Sequence, residues 1–166
     1  MGDRSHDGPA LNVRDGLLAD APFVIRLGAS AFARFGEYGS IMREFLASPD
    51  VRSFIAEISG IPVGFALVEG PEAHRGVADL VAIAVDSQHR RQGIGRALLL
   101  RVIASWEERP EPSLLVLTVA DDNVGAVTLF RSHGFELLPG SLGRYAGGQT
   151  SRRMAKPVLP RRTETR

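Results

Sequence analysis

Apolar residues along the chain recur at two periods, and the places where one period gives way to the other mark out the elements. A short strand is expected at Leu11–Arg14. A helix follows from Asp20, which caps it ahead of Pro22, with Val24, Leu27, Ala31 and Phe32 on its inner face. A shorter helix fits Ser40–Ala47 and is closed by Ser48-Pro49-Asp50. Arg52–Ile58 alternates, and Ser59-Gly60-Ile61-Pro62 turns it into Val63–Val68, so the pair reads as an antiparallel hairpin. Val77–Val85 is an apolar run broken only by Asp79, which suits a central strand buried on both faces. The polar stretch from Asp86 then opens into a helix with Ile94, Leu98, Val102 and Trp106 on one stripe, ended by Arg109-Pro110-Glu111-Pro112. Leu114–Val119 is a second buried strand. Asp121-Asp122-Asn123 caps a helix through Ala126, Val127 and Phe130, and His133-Gly134 stops it before extended structure at Phe135–Leu138. The last strand fits Thr150–Ala155.

The predicted order is β-α-α-β-β-β-α-β-α-β-β, an α/β (α+β) chain with no internal linker. Residues 11–156 form one domain, between a flexible N-terminal lead at 1–10 and a flexible basic tail at 157–166. Composition agrees with one globular unit, since 44% of the 166 residues are hydrophobic and 23% charged.

Charge changes the picture more. The net +1 hides a split: residues 1–151 hold fourteen basic against eighteen acidic side chains, a net −4, and the excess of arginine sits in the tail. An acidic body argues against general nucleic-acid binding, which needs clustered cations to displace counterions. No cysteine is present, which excludes thiol nucleophiles, disulfides and zinc–thiolate sites. The one lysine, Lys156, lies in the last strand, so a Schiff base or a Gly-Lys-Ser/Thr phosphate loop is excluded too. His6, His74, His89 and His133 show no metal-binding spacing, and no metal is expected. Without a signal-like or membrane-spanning apolar run, the reading is a cytoplasmic protein that binds no membrane, as monomer or homodimer.

The chemistry concentrates in Arg90-Arg91-Gln92-Gly93-Ile94-Gly95-Arg96, between a buried strand and an amphipathic helix. Glycines there permit positive φ and a close main-chain approach, while first-turn N–H groups and the helix dipole attract an anion. Three arginines add charge, and the combination points to a pyrophosphate. The segment also resembles the acetyl-CoA loop of the GNAT family of N-acetyltransferases, of the form Arg/Gln-x-x-Gly-x-Gly/Ala, with Arg90, Gly93 and Gly95 in place. A second signature of that family is similar to Asn123-x-x-Ala126-x-x-Leu129-Phe130 leading to Gly134-Phe135.

The resemblance implies a mixed, mostly antiparallel sheet of about seven strands flanked by about four helices, with the strands ending at Val85 and Val119 splayed around the cofactor. It implies acetyl-CoA as cosubstrate, its arm bonded by the backbone of Ile83, Ala84 and Val85 with Thr118 opposite. The amides of Arg91, Gln92, Gly93, Gly95 and Arg96 would hold the phosphates, with Ile94 among the cofactor contacts, and Asn123 would reach the arm or the adenine-side phosphate. The reaction implied is direct attack of a primary amine on the thioester in a ternary complex. Asp79 sits where some members keep a glutamate base, about 20 Å of extended chain before Val85 at ~3.3 Å per residue, and its apolar neighbours favour uptake of a proton; the alternatives are a water-relayed base, with Asp79 at the exposed entry of the strand or paired with Arg75. Phe130 replaces a tyrosine that in many members protonates the leaving thiolate; a water, Tyr145 or no dedicated acid at all is left for that role. Phe35, Glu37 and Tyr38, in the segment joining the first two helices, are the candidate acceptor contacts, with Ser141–Gly148 as a second acceptor-side loop. A non-catalytic acyl-CoA-binding or sensing domain is the alternative, motivated by Phe130, and a nucleic-acid module using the tail arginines is a third.

Overall fold

The computed structural model describes residues 10–70, 76–111 and 113–161. His6, His74, Arg75 and Pro112, most of the lead and residues 162–166 of the tail lie outside those residues. The chain runs β1 (Leu11–Asp15), α1 (Ala21–Ala31), α2 (Tyr38–Ala47), β2 (Val51–Ile58), β3 (Ile61–Glu69), β4 (Val77–Val85), α3 (Ile94–Glu107), β5 (Ser113–Ala120), α4 (Val124–Ser132), β6 (Glu136–Leu137), β7 (Gly143–Arg144) and β8 (Thr150–Val158). The strands form one sheet in the order β1-β2-β3-β4-β5-β8-β6, with β7 paired to β8. All pairs are antiparallel except β4 with β5, the parallel pair joined through α3.

One face of the sheet carries α1 and α2 over Ile55, Phe65 and Leu67; the other carries α3 and α4 over Phe54, Val68 and Leu115. The stripe read from the sequence supplies the second core: Leu98, Val102 and Trp106 are fully buried. Beneath α1, Gly28 lies where a Cβ would stand 2.6 Å from the Met42 side chain, so the absence of a side chain is what lets α1 and α2 approach.

Several boundaries differ from expectation, each for a local reason. The hairpin turn is only Ser59-Gly60, with φ of 51° and 78°, so β3 begins at Ile61 and contains Pro62. The segment Ser141–Gly148, expected as loop, contains the two-residue strand β7. β8 continues through Pro157 to Val158, and the Arg161 N–H donates to the Glu107 carbonyl at 2.7 Å. The strand end expected at Ala155 therefore moves outward, because β5 offers a paired register as far as Ser113↔Val158.

Asp20 does not cap α1 with its side chain. Its carboxylate instead accepts two hydrogen bonds from Arg14, at 2.8 and 2.9 Å, and one from the Leu17 N–H at 2.7 Å. Arg14 reaches Glu57 of β2 as well, so these groups pin the α1 entry to the edge of the sheet. The Arg14 hydrogen bond holds the Asp20 carboxyl below its ordinary value, against the opposing pull of burial. A depressed folded-state pKa gives stability that is present above the unfolded-state value near 3.8 and is lost as pH falls through the folded one. Asp20→Asn is thus expected to cost about 1–3 kcal/mol at pH 7 and to flatten the decline in chemical-denaturation stability below about pH 4. An unchanged acid limb would remove this pair from the stability of the fold.

Candidate active site

β4 and β5 begin side by side and then part. Their pairing runs from Val77↔Leu114 to Leu80↔Leu117 and ends there. On its other edge β4 stays paired to β3, but Leu67 faces Ala82 and Val68 faces Leu80, leaving Val81 as an extra residue. This bulge rotates the strand. Before it, Ala78 and Leu80 pack against the α3 core; after it, Ala82 and Ala84 join the α1–α2 core while Ile83 and Val85 turn toward α3. The expectation of burial on both faces is accordingly corrected. Burial alternates, with Val81, Ile83 and Val85 only partly covered, because the sheet is open beside them.

The opening continues into a cavity of about 690 Å³ at the N-terminus of α3. Its floor is the turn from Arg90 to Arg96. Arg91 and Gly93 both adopt positive φ, 63° and 77°, and Gly93 is the residue just before the helix. Nothing lies within 4 Å of where a Gly93 Cβ would be, so its backbone borders open space; a Cβ at Gly95 would meet Leu129 and Val85 at ordinary contact, 3.7 and 3.9 Å. Arg90, Arg91 and Arg96 line the same space. Positive side chains around free first-turn amides make a site for a diphosphate, and the open β4 edge beside it suits an extended amide-bearing arm. The residues therefore fit coenzyme A.

A narrower neck of about 80 Å³ adjoins this cavity and shares Ile83, Asn123 and Phe130 with it. Thr118 lines the neck and is exposed in the middle of a buried strand, because β4 no longer covers it. Asn123 is the cap of α4, its side-chain oxygen accepting from the Ala126 N–H at 3.3 Å. Phe35, which lines both compartments, stands in the neck with Tyr38 and Tyr145. Tyr145 packs on Phe35 with ring centroids 4.7 Å apart, and Tyr38 packs on Phe32 at 5.2 Å. Burial pushes both phenols up, Tyr145 to about 12, with the neighbouring Tyr38 as a second cause there.

Most of the expected residues thus meet around one connected space: Phe35, Tyr38, Ile83, Ala84, Val85, Arg90, Arg91, Gly93, Ile94, Gly95, Arg96, Thr118, Asn123, Phe130 and Tyr145. Three do not. Gln92 lines neither compartment. Glu37 caps α2, accepting from the Gly39 N–H at 3.0 Å, and so is occupied by its own helix. Asp79 lies in the paired part of β4, opposite Val116, and forms an ion pair with Arg153 of β8 at 3.0 Å. To the apolar neighbours read from the sequence the fold adds that guanidinium, from 74 positions away.

The sequence reading missed His89, Arg34 and Asp122, all of which line the cavity. His89 stood beside the arginine loop and was within reach of the motif; Arg34 and Asp122 lie 88 positions apart and share no pattern.

Three likenesses agree with this geometry. A 163-residue alignment at 28% identity, covering 91% of this chain and 95% of the relative, links it to an N-alpha-acetyltransferase of Sulfurisphaera tokodaii. The fold matches that of the ribosomal-protein-S18-alanine N-acetyltransferase from Escherichia coli with TM-score 0.75, at 23% identity over 95% of this chain and 99% of that one. It also matches yncA from Salmonella typhimurium, solved with its cofactor acetyl-CoA, with TM-score 0.74 at 17% identity over 94% and 98% of the two chains. Residues 22–135 match the acetyltransferase (GNAT) family itself, so the chain belongs to that family and is an N-acetyltransferase.

Proposed function

We propose that this enzyme transfers acetyl from acetyl-CoA to the α-amine of a peptide or protein N-terminus whose first residue is small. The observation that carries the proposal is the neck, which no Asp or Glu lines among the described residues. A lysine or polyamine nitrogen, with a pKa of ~10.4, needs both a carboxylate to receive it and a base to discharge it. An α-amine at ~7.7–8.0 presents several hundredfold more of its neutral form at pH 7. An uncharged neck of about 80 Å³ suits the second acceptor and leaves room for little more than its first side chain. The names of two relatives, the N-alpha-acetyltransferase of Sulfurisphaera tokodaii and, at 45% identity over 58 residues, the ribosomal protein bS18-alanine N-acetyltransferase of Escherichia coli, support this reading.

In this reading the amides of Arg91, Gln92, Gly93, Ile94, Gly95 and Arg96 hold the diphosphate, aided by the Arg90, Arg91 and Arg96 side chains. The backbone of Ile83, Ala84 and Val85 takes the arm as a pseudo-strand, with Thr118 and Asn123 on the other wall. Acetyl-CoA supplies an activated thioester carbonyl. Phe130 and Phe35 exclude water from it, and Tyr38 and Tyr145 are the polar groups facing the reaction. The α-amine loses its proton to solvent, so Asp79 is not needed as a base.

The test compares a peptide beginning Ala or Ser with the same peptide blocked at its N-terminus and carrying a lysine, following thiol release at pH 7. The expected kcat/KM ratio is at least ~100-fold in favour of the free N-terminus. Equal rates would reject the acceptor assignment while leaving the acetyltransferase chemistry in place. No thiol release with any amine would revive the sensing-domain alternative.

A further inference from the structure

We propose that Arg34 and Asp122 form a clasp that closes the opened sheet over the arm of acetyl-CoA and slows its release. Arg34 lies in the turn Ala33–Phe35 that follows α1, the helix packed on Ala82 and Ala84 of β4; Asp122 lies in the turn that leaves β5 for α4. Both line the cavity, and their neighbours Phe35 and Asn123 line both cavity and neck. The guanidinium donates to both carboxylate oxygens of Asp122, one of them at 3.2 Å. The pair therefore spans the gap that the diverging strands leave.

Exposed ion pairs commonly contribute little, and these side chains are about half exposed. Three features make this one different. Its geometry is a two-pronged fork, which restricts both partners. The guanidinium also stacks on the Phe35 ring, 4.5 Å from its centroid. The turn that presents Arg34 is itself anchored to the β7–β8 hairpin, with the Gln149 amide donating to the Arg34 carbonyl at 2.8 Å and the Gly147 N–H to the Phe35 carbonyl at 3.0 Å. A Cβ on Gly147 would stand 2.0 Å from the Arg34 carbonyl oxygen, so the hairpin can seat there only with glycine at that position. The α1–α2 turn, the hairpin and the β5–α4 turn thus make a continuous band around the junction of cavity and neck. An arm lying in the junction leaves sideways only when the fork opens, which makes Arg34 and Asp122 positioning residues rather than catalytic ones.

This rests on the cavity holding CoA, and the experiment separates the two. Release of a fluorescent CoA analogue, chased with excess CoA in a stopped-flow instrument, is compared for the native protein, Arg34→Gln, Asp122→Asn and the reversed pair Arg34→Asp with Asp122→Arg. Each single change is expected to speed release roughly threefold to fivefold. The reversed pair should bring the rate back toward native, and salt should speed release from the native protein but not from the single variants. A structural role alone would lower the unfolding midpoint without moving the release rate. Unchanged release rates with intact equilibrium binding would overturn the clasp alone, as would a reversed pair as fast as the singles. Failure of the native protein to bind CoA would overturn the cofactor site and the clasp together.

Discussion

Gly93→Val is expected to weaken acetyl-CoA binding by one to two orders of magnitude, read as the dissociation constant by calorimetry. Two effects add. Gly93 sits at φ 77°, where a side chain, and a β-branched one most of all, is strained by about 1–2 kcal/mol. The space a Cβ would enter contains no protein atom within 4 Å, so the valine methyls would not collide with the fold; they would occupy the approach to the first-turn amides. The damage should therefore fall more on ligand than on stability, with a modest loss of unfolding temperature and a large loss of affinity. Gly95→Ala is the control. Gly95 is helical, and its new methyl would make only ordinary contacts with Leu129 and Val85, so affinity within about threefold of native is expected. Native affinity in Gly93→Val would show that the phosphates dock elsewhere.

This contrast also marks what was readable in the sequence. The arginine-glycine loop and the Asn123–Phe130 segment are local: each is a run of residues whose backbone and side chains act together, and each stands where expected. The stripe of α3 was legible for the same reason; the parting of β4 from β5 was implied by the family resemblance, and it begins inside the strands, after Leu80 and Leu117. What escaped depends on distant partners. Asp79 reads as a lone charge in an apolar strand until the fold brings Arg153 to it. Asp20 reads as a cap until Arg14 takes its carboxylate. The bulge at Val81 has no signature of its own, because it is a mismatch in register between two strands that are each regular in sequence. The same bulge decides which of the residues from Val81 to Val85 face the cavity.

Tyr145→Phe is expected to lower kcat about tenfold to a hundredfold while leaving the KM for acetyl-CoA within about twofold. The reasoning turns on the direction of the proton. A thiol leaving group has an ordinary pKa of ~8.5, whereas burial holds the Tyr145 phenol at about 12. Full transfer of its proton to the thiolate would run uphill by several kcal/mol at 1.36 kcal/mol per unit. In the proposed mechanism a phenol so placed donates a hydrogen bond to the developing sulfur charge without giving up its proton. Its contribution is accordingly independent of pH, so the variant should lose rate evenly and the native profile should show no descending limb from this group below about pH 11. Phe130 cannot donate to the sulfur, which leaves the two phenols of the neck as the donors available among its lining side chains besides Thr118 and Asn123. Tyr38→Phe separates them: an equal loss there would assign the charge to the pair jointly. A native kcat in Tyr145→Phe would confine Tyr145 to packing on Phe35, and a descending limb present in the native enzyme but absent from the variant would mean that the phenol gives up its proton after all.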